Sequence, residues 1–546
     1  MPRRHDSRVG FFNVSFVDFA NNSDHEAETV RFITRWRLEK QNPAEKLSKP
    51  IKPIVFYVGR GTPDKWKSFV KAGIEAWQPA FEKAGFKNAI LGRYAPDPRE
   101  DPDWDAEDAR ISTIRWLPSN VENAFGPHVH DPRMYHNVQK LVRDWYFVQA
   151  SASDERAQKL PMPDDLIGEL IQFVVAHEVG HSLGFPHNMK ASSSYTVEQL
   201  RDPEWTKENG TAPSIMDYAR FNYVAQPGDG ASLMPKIGPY DHFAVEWGYR
   251  RFSSDTDTEE ELEKIVKRQV DEPMFRFGNR NPQQDSSQQT EDLGSDAVRA
   301  TELGMKNLKR IAENLVEATC REGKNYDLLS NMYDQILGQW NREMGHVVNV
   351  VGGVKQINLF FGDADQRFFP QETEYQKQAV QFLIENALKT PTMFTSQDIV
   401  LRITAEGVAE KLLNAQRRVI TGLVNSTRIN RMIEHAEQAS GEYYHPAGML
   451  KDLSLGIFSE LEESGGHPDL YRRNLQRSYL RHLGQTLEKS SVDSDLPALA
   501  RSELIKIDSR LKTVEKQSPD ALPQVHWKDL RARIEKALDK NKGQGD

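Results

Sequence analysis

The sequence predicts an α+β fold in which a mixed sheet and two long helices are followed by a mainly α-helical region. Within residues 1 to 250, short β-rich segments alternate with two segments whose apolar residues recur at helical spacing. After residue 250, nearly every periodic segment has helical spacing. At 546 residues the chain is too long for a single compact core, so we expect more than one domain.

Local patterns predict the first elements of the sheet. Residues 11 to 19 alternate loosely and predict a strand, and residues 53 to 58 form a second β-rich segment. Thr62 is suited to cap the helix that follows, and Pro63 to occupy its first position. Apolar residues then recur at helical spacing, and we expect this helix to kink near Pro79.

The sheet continues after this helix. Residues 89 to 94 and 110 to 116 each predict a strand, and the order strand, helix, strand, strand indicates a mixed sheet with a helix on one face. A second long helix is predicted to start near Pro161 and Pro163, where acidic residues suit a helix N-terminus. Its apolar face continues into His177, so the histidines that follow lie at the end of a core helix.

The second half begins with a polar segment at 278 to 296, whose composition predicts a loop or linker. Residues 346 to 362 are consistent with a β-hairpin. Helical spacing predicts eight further helices, near residues 301–319, 326–343, 374–388, 406–423, 447–463, 469–489, 497–516 and 527–541.

Composition and charge exclude several classes of function. The chain has 71 basic and 80 acidic residues and a formal charge of −9, and no strongly basic patch would attract a nucleic acid. Cys320 is the single cysteine, so any metal must be held by His, Asp or Glu. No apolar run is long enough to span a bilayer, and the N-terminal residues do not have the apolar core of an export signal.

The segment AHEVGHSLGFPHN at residues 176 to 188 predicts a metal site. His177 and His181 are four residues apart and so lie on one face of a helix, from which both can bind one ion. Glu178 is close enough to accept a proton from a water on that ion. Gly184 permits a left-handed turn that returns His187 as a third ligand. Three neutral imidazoles with one open position indicate catalytic Zn²⁺.

The alternative is that the two helical histidines are ordinary core or surface residues and that Glu178 is a solvated charge. The five-residue pattern alone recurs by accident in many proteins. Gly184 and His187 at the correct offsets, after a helix, favour the metal site.

This longer motif resembles the zinc signature of the metzincin clan of metalloproteases. The segment SIMDY at 214 to 218 is similar to the methionine-containing turn of that clan, with Met216 as the turn methionine. Tyr218 corresponds to a tyrosine that in some metzincins approaches the metal and stabilises the oxyanion. The other interpretations are core packing for Met216 and a buried aromatic for Tyr218.

Several phrases of the chain, among them RWRLEK, DWYFVQAS and GPYDHFAVEWGY, resemble large exported bacterial metalloproteases of this clan that carry flanking domains of unknown function. The resemblance implies a twisted sheet with two main helices and a helical C-terminal extension. It predicts three regions: 1–50 as the remnant of an N-terminal β-containing region, 51–250 as the zinc catalytic domain, and 251–546 as a mainly helical region. It also implies an exported protein, although the N-terminal residues predict no signal.

One departure from this group concerns substrate binding. After Arg133 the resemblance implies a longer stretch that forms an exposed edge strand, whereas only Met134 and Tyr135 precede His136. Edge strands present unpaired backbone groups that can bind extended peptides. The shorter segment does not affect the predicted zinc ligands, but it removes part of the surface expected to bind a peptide.

Other histidines are secondary candidates. His128, His130 and His136 form either a second metal site or, as we favour, a loop near the cleft. His242, which follows Asp241 at a predicted helix start, has either a position behind the metal ligands or, as we favour, a structural role.

We therefore predict a zinc-dependent endopeptidase that acts on a peptide or protein substrate, with Glu178 as general base. One alternative is a non-catalytic zinc-containing binding protein or inactive fragment. Another is a metal-dependent hydrolase of a different substrate, such as an ester or amide.

Overall fold

The computed structural model describes residues 2–20, 25–126, 133–135, 137–253, 257–279, 282, 285–364, 366–438, 441–462, 466–489, 494–515 and 521–539. The chain divides into two compact units. Unit 1 comprises Met1–Pro282, Ser287–Ala318 and Gln356–Arg367, and unit 2 comprises Gln283–Ser286, Thr319–Lys355 and Phe368–Asp546. The domain boundaries expected at residues 50 and 250 remain predictions.

Unit 1 contains the strands and the first helices. The strands are β1 (Asn13–Asp18), β2 (Glu28–Ile33), β3 (Ile54–Val58), β4 (Ile90–Tyr94), β5 (Ser112–Leu117), β6 (Ala124–Phe125) and β7 (Arg133–Tyr135). The helices are α1 (Asp64–Glu75), α2 (Gln78–Lys83), α3 (Val138–Ala150), α4 (Asp164–Ser182), α5 (Val197–Arg201), α6 (Pro203–Asn209), α7 (Pro239–Tyr249), α8 (Thr258–Asp271), α9 (Ala297–Glu313) and α10 (Leu315–Thr319), of which the last residue belongs to unit 2.

The main sheet of unit 1 has five strands in the order β4-β3-β5-β7-β6. β3 pairs in parallel with β4 and β5, β5 pairs in parallel with β7, and β6 is the antiparallel edge strand. β1 and β2 form a separate antiparallel pair. The predicted mixed sheet and α+β class are confirmed.

Helices α1 and α4 are the two long helices predicted around the sheet, and α1 packs against β3, β4 and α4. α1 buries Trp66, Val70 and Ile74. Gly73 lies where the two helices approach most closely, because a Cβ atom there would lie 2.8 Å from both the Gln172 carbonyl oxygen and Val175 Cβ. The packing of α1 thus fixes the helix that carries the candidate metal ligands.

Two details of the first long helix differ from the prediction. Instead of one kinked helix there are two, because α1 ends at Glu75 and α2 begins at Gln78 with Pro79 in its first turn, where the missing N–H costs nothing. Pro63, not Thr62, is the N-cap residue of α1, and it makes no side-chain capping hydrogen bond.

The described part of residues 278 to 296 is a loop, as predicted, but it is not an exposed linker. Residues 285–289 and 291–294 are buried, with Asp285 fully so. Their polar groups find partners inside the protein: Lys190 Nζ donates to Ser287 Oγ, and the Leu293 N–H donates to Tyr223 Oη at 3.1 Å. Composition indicated solvent exposure, whereas these hydrogen bonds offset the cost of burial.

Unit 2 is mainly helical, as predicted. Its elements are α11 (Asp327–Val348), β8 (Val354–Gln356), β9 (Phe368–Pro370), α12 (Thr373–Leu383), α13 (Gln397–Ile403), α14 (Val408–Leu423), α15 (Ser426–Gln438), α16 (Pro446–Ile457), α17 (Leu470–Lys489), α18 (Leu496–Glu515) and α19 (Ala521–Asp539). A π-helical turn, Ile384–Leu388, follows α12. In the described parts of the chain, no helix is both long enough and apolar enough to cross a membrane.

The expected hairpin at 346 to 362 is wrong in its first arm. Its first residues belong to the end of α11, and β8 pairs with β9 rather than with a preceding strand. The valines at 347 and 348 are buried as helical residues. Short apolar runs do not distinguish a buried helix end from a strand. Helices α13 and α15 were not predicted.

Replacing Gly73 with alanine should lower the free energy of unfolding by about 1–3 kcal/mol, because the added methyl group overlaps α4. Gly338 is the matched control: it lies within α11, and a Cβ there meets nothing within 4 Å. Gly338→Ala should raise stability by about 0.5–1 kcal/mol through helix propensity. Urea unfolding of both variants measures the difference, and equal effects would contradict the close contact between α1 and α4.

Candidate metal centre

Three histidines converge at the end of α4. His177 and His181 lie one helical turn apart, and the chain then turns through Gly184, whose φ is +107°. That turn returns His187 toward the helix. The Nε2 atom of His187 lies 3.3 Å from that of His177 and 3.1 Å from that of His181.

The other ring nitrogens fix the tautomers of the two helical histidines. His177 Nδ1 donates to the Ile215 carbonyl oxygen and His181 Nδ1 to the Phe185 carbonyl oxygen, each at 2.7 Å. A carbonyl oxygen only accepts, so Nδ1 carries the hydrogen and Nε2 presents a lone pair. Two such lone pairs therefore point toward the third histidine.

Burial keeps the three imidazoles neutral. Desolvation lowers the pKa of His181, and it lowers the pKa of His187 to about 4. The pKa of His177 is also held well below its usual value, first by burial and then by the other two rings. Neutral imidazole is the form that binds a metal ion.

The distances from His187 Nε2 to the other two Nε2 atoms fit zinc, and all three ligand atoms lie within 4.8 Å of one another. Zinc–nitrogen bonds of about 2.0–2.1 Å in a tetrahedral arrangement place two ligand nitrogens about 3.3 Å apart. In the described parts of the chain, no fourth His, Cys, Asp or Glu joins this group. The donor set would therefore leave one coordination position open, as catalytic zinc sites do.

Met216 lies directly beneath the ligand-bearing turn of α4. A side chain at Gly180 would clash with Met216 Sδ and with Trp77. The Met216 carbonyl oxygen also accepts a hydrogen bond from the Asn188 N–H at 3.0 Å, next to His187. The segment around Met216 thus contacts both halves of the motif.

Asp241, in the first turn of α7, holds this segment in place. Its carboxylate accepts hydrogen bonds from Ser214 Oγ at 2.7 Å and from the Ile215 and Gly238 N–H groups at 2.8 Å. Burial raises its pKa to about 7, against these three hydrogen bonds. Since the Ile215 carbonyl orients His177, Asp241 acts on the metal site through a single residue.

His242 does not support the candidate metal ligands, which was the less favoured of its two predicted roles. In the described structure its Nδ1 has no hydrogen-bond partner, and burial together with Lys83 and Lys236 lowers its pKa to about 4. Of the neighbouring residues Asp241 and His242, it is Asp241 that supports a candidate metal ligand, because it holds Ile215. Sequence reasoning missed it because the residue that Asp241 supports lies 26 positions earlier.

Tyr218 packs against two of the histidine rings. Its ring centroid lies 4.3 Å from that of His187 and 5.4 Å from that of His177. Arg220 extends over the Trp145 ring at 3.4 Å and forms a buried ion pair with Glu291 at 2.8 Å. Arg220 and Glu291 both have positive φ, 54° and 63°, so the structure holds both partners in a strained backbone conformation.

Glu178 faces the end of the edge strand. The side chain is 8% exposed, and burial raises its pKa to about 8, although a hydrogen bond from the Gly126 N–H opposes the shift. Gly126 follows β6, and any side chain there would clash with the Glu178 backbone. The edge of the sheet therefore reaches the carboxylate directly.

This arrangement revises the expectation about the edge strand. β7, which contains Arg133 and Met134, lies inside the sheet, and the antiparallel edge strand is the preceding β6. β6 is only two residues long, and Phe125 is exposed. His128, His130 and His136, considered as a second metal site, lie outside the described residues.

Two carboxylates are buried next to Met216: Asp217, the next residue in the chain, and Asp292. Asp217 accepts a hydrogen bond from the Ser192 N–H at 2.6 Å, and Asp292 accepts one from Ser192 Oγ at 3.3 Å. Burial raises the pKa of both groups, and the charge of Asp292 adds to the rise at Asp217. Two like charges in one buried site keep one of them protonated near neutral pH.

Comparison with known proteins gives a family. A family model described as Met-zincin matches residues 159–465, more than half of the chain. The chain belongs to the Met-zincin family. A second model, described as Domain of unknown function (DUF5117), matches residues 1–41 of this Met-zincin. No curated protein and no solved structure matches the chain. The resemblance to metzincins is confirmed, and membership supports a zinc metallopeptidase-like function, with zinc as the metal that the family implies.

Replacing Asp241 with asparagine should weaken zinc binding by about 10- to 100-fold, because the Ile215 carbonyl that orients His177 loses its support. Competition with a chromophoric chelator measures the affinity. The control is Asp229→Asn, since Asp229 also accepts a backbone N–H, from Gln226, but pairs with Arg201 instead of supporting the site. Unchanged affinity in folded Asp241→Asn protein would refute the positioning role.

Proposed function

We propose that this Met-zincin is a zinc-dependent endopeptidase whose metal is held by His177, His181 and His187. The observation that carries the proposal is the convergence of their Nε2 atoms, with two of the tautomers fixed by backbone carbonyls. Neutral imidazoles that present Nε2 lone pairs toward one point form a donor set suited to a metal ion. Family membership supports zinc as that cation.

Zinc bound there would polarise the scissile carbonyl and lower the pKa of water to about 7. Glu178, next to His177 on α4, would accept the proton of the attacking water and transfer it to the leaving amine. Burial raises the pKa of Glu178 and a bound cation would lower it, and a carboxylate whose pKa lies between these limits both accepts and releases a proton readily. The Gly126 N–H would orient the carboxylate.

Tyr218 is the proposed donor to the developing oxyanion. The contacts of its ring with His187 and His177 support this role, because they bring the phenol close to the proposed metal ligands. The guanidinium carbon of Arg220 lies 5.9 Å from the centroid of the Tyr218 ring, and Arg220 forms an ion pair with Glu291. A neutral phenol held among buried groups donates to an oxyanion more strongly than water does.

The edge strand suggests the class of substrate. An antiparallel edge offers unpaired backbone groups to an extended peptide, and β6 leads directly to Gly126 and Glu178. A peptide paired with this edge would therefore pass beside the proposed base. The shortness of β6 favours the second candidate, a zinc-containing binding protein without turnover, and the following experiments separate the two.

The Glu178→Gln variant should bind zinc as tightly as the unmodified protein and lose at least about 1,000-fold of its peptidase activity, because the amide cannot accept the proton. Elemental analysis gives the metal content, and a quenched-fluorescent peptide library gives the rate. Glu169→Gln is the matched control on α4, where Glu169 forms an exposed ion pair with Arg156.

The zinc content and cleavage rates of the Glu178→Gln and Glu169→Gln proteins distinguish the candidate functions. One zinc per chain with cleavage in the Glu169→Gln protein and none in the Glu178→Gln protein supports the endopeptidase. Zinc in both proteins without cleavage supports the binding protein. Hydrolysis of small esters without peptide cleavage would support the other hydrolase, and a chain without zinc would refute the metal site.

The Tyr218→Phe variant should lower kcat by about 100- to 1,000-fold with little change in KM, because the lost hydroxyl acts only on the transition state. Steady-state kinetics on one library peptide measure both constants. Tyr94→Phe, at the exposed end of β4, is the control. A proportional change in KM with kcat intact would instead assign Tyr218 to substrate binding.

A further inference from the structure

Unit 2 contains a cavity of about 470 Å³ between α11, α14 and the first turn of α15. Three arginines line it: Arg418 from α14, and Arg428 and Arg431 from α15. The remaining described residues of its wall are neutral, and no acidic side chain is among them. The described wall of the cavity therefore carries three positive charges and no negative charge.

Arg428 is the deepest of the three arginines, and its side chain has only neutral partners. It is 6% exposed. Nε donates to the Gly422 carbonyl oxygen at 2.7 Å, and Nη1 donates to the carbonyl oxygens of Val348 and Val351. Nη2 donates to Asn349 Oδ1 at 3.3 Å, which leaves one of its five N–H groups without a described acceptor.

The electrostatic state of Arg428 follows from this environment. Burial, followed by the nearby charge of Arg431, lowers its pKa to about 9, and no described carboxylate opposes the shift. Burying a cation without a counter-charge costs several kcal/mol, which carbonyl partners offset only in part. An anion in the adjacent cavity would remove most of that cost.

Two neutral parts of the wall, Asn341 and the start of α15, could also contact a ligand in the cavity. Asn341 Oδ1 is buried and has no hydrogen-bond partner in the described structure, so it can accept from a hydroxyl of a ligand. Thr427 lies in the first turn of α15, a helix of 13 residues. The positive end of that helix's dipole adds to the attraction for an anion.

We propose that this cavity binds a small molecule that carries a phosphate group. A phosphate dianion matches a wall with three guanidinium groups better than a single carboxylate does, and the exposed guanidinium of Arg418 can pair with a phosphate through two parallel hydrogen bonds. The volume exceeds that of a phosphate alone, so the ligand has room for an organic group. Binding here requires neither zinc nor peptide hydrolysis.

The variant Arg418→Gln tests the site, because Arg418 is exposed at the rim and its replacement should leave the fold intact. Arg428 is less suitable, because it donates hydrogen bonds to backbone carbonyl oxygens of both α11 and α14. Arg417→Gln is the matched control. It makes the same change one residue earlier on α14, where the guanidinium donates to Ser478 Oγ at 2.9 Å and to Asn414 Oδ1 at 3.0 Å.

Inorganic phosphate is the probe, titrated calorimetrically into the full chain at constant ionic strength, with acetate in parallel. We expect saturable phosphate binding by the unmodified protein and by Arg417→Gln, and binding at least about fivefold weaker in Arg418→Gln. The absence of saturable binding, equal affinity in the two variants, or tighter binding of acetate would each overturn the proposal.

Discussion

The hydrogen bond from His177 Nδ1 to the Ile215 carbonyl oxygen is the contact on which the candidate metal centre depends. It joins α4, which carries two of the ligands, to the Met216 segment that underlies them. It also fixes the tautomer of His177, so that Nε2 is free for a cation. Because Asp241 accepts the Ile215 N–H, α7 is tied to the same histidine through one residue, Ile215.

Burial acts on all the groups of this centre at once. It keeps the imidazoles neutral, which favours metal binding, and it makes the charged form of Glu178 unfavourable. A divalent cation beside the carboxylate reverses the second effect, since it becomes the largest charge in the site. Metal binding and the readiness of Glu178 to act as a base are therefore linked.

The sequence predicted what depends on local spacing and missed what depends on contacts between distant segments. The offsets of His177, His181 and His187 suffice to bring the three residues together, because helix geometry and one left-handed glycine determine their positions. Asp241 has no such local signal, since its partners are backbone groups around Ile215. The buried segment 285–294 shows the same limit: composition does not reveal which polar residues will find partners inside the protein.

The two proposed sites share one physical argument. In unit 1, the Nε2 lone pairs of His177 and His181 converge at a buried place, and in unit 2 the guanidinium of Arg428 is buried among neutral partners. Desolvation of such groups costs free energy that their hydrogen bonds offset only in part. A cation bound by the imidazoles, and an anion bound beside Arg428, would each return part of that cost as binding free energy.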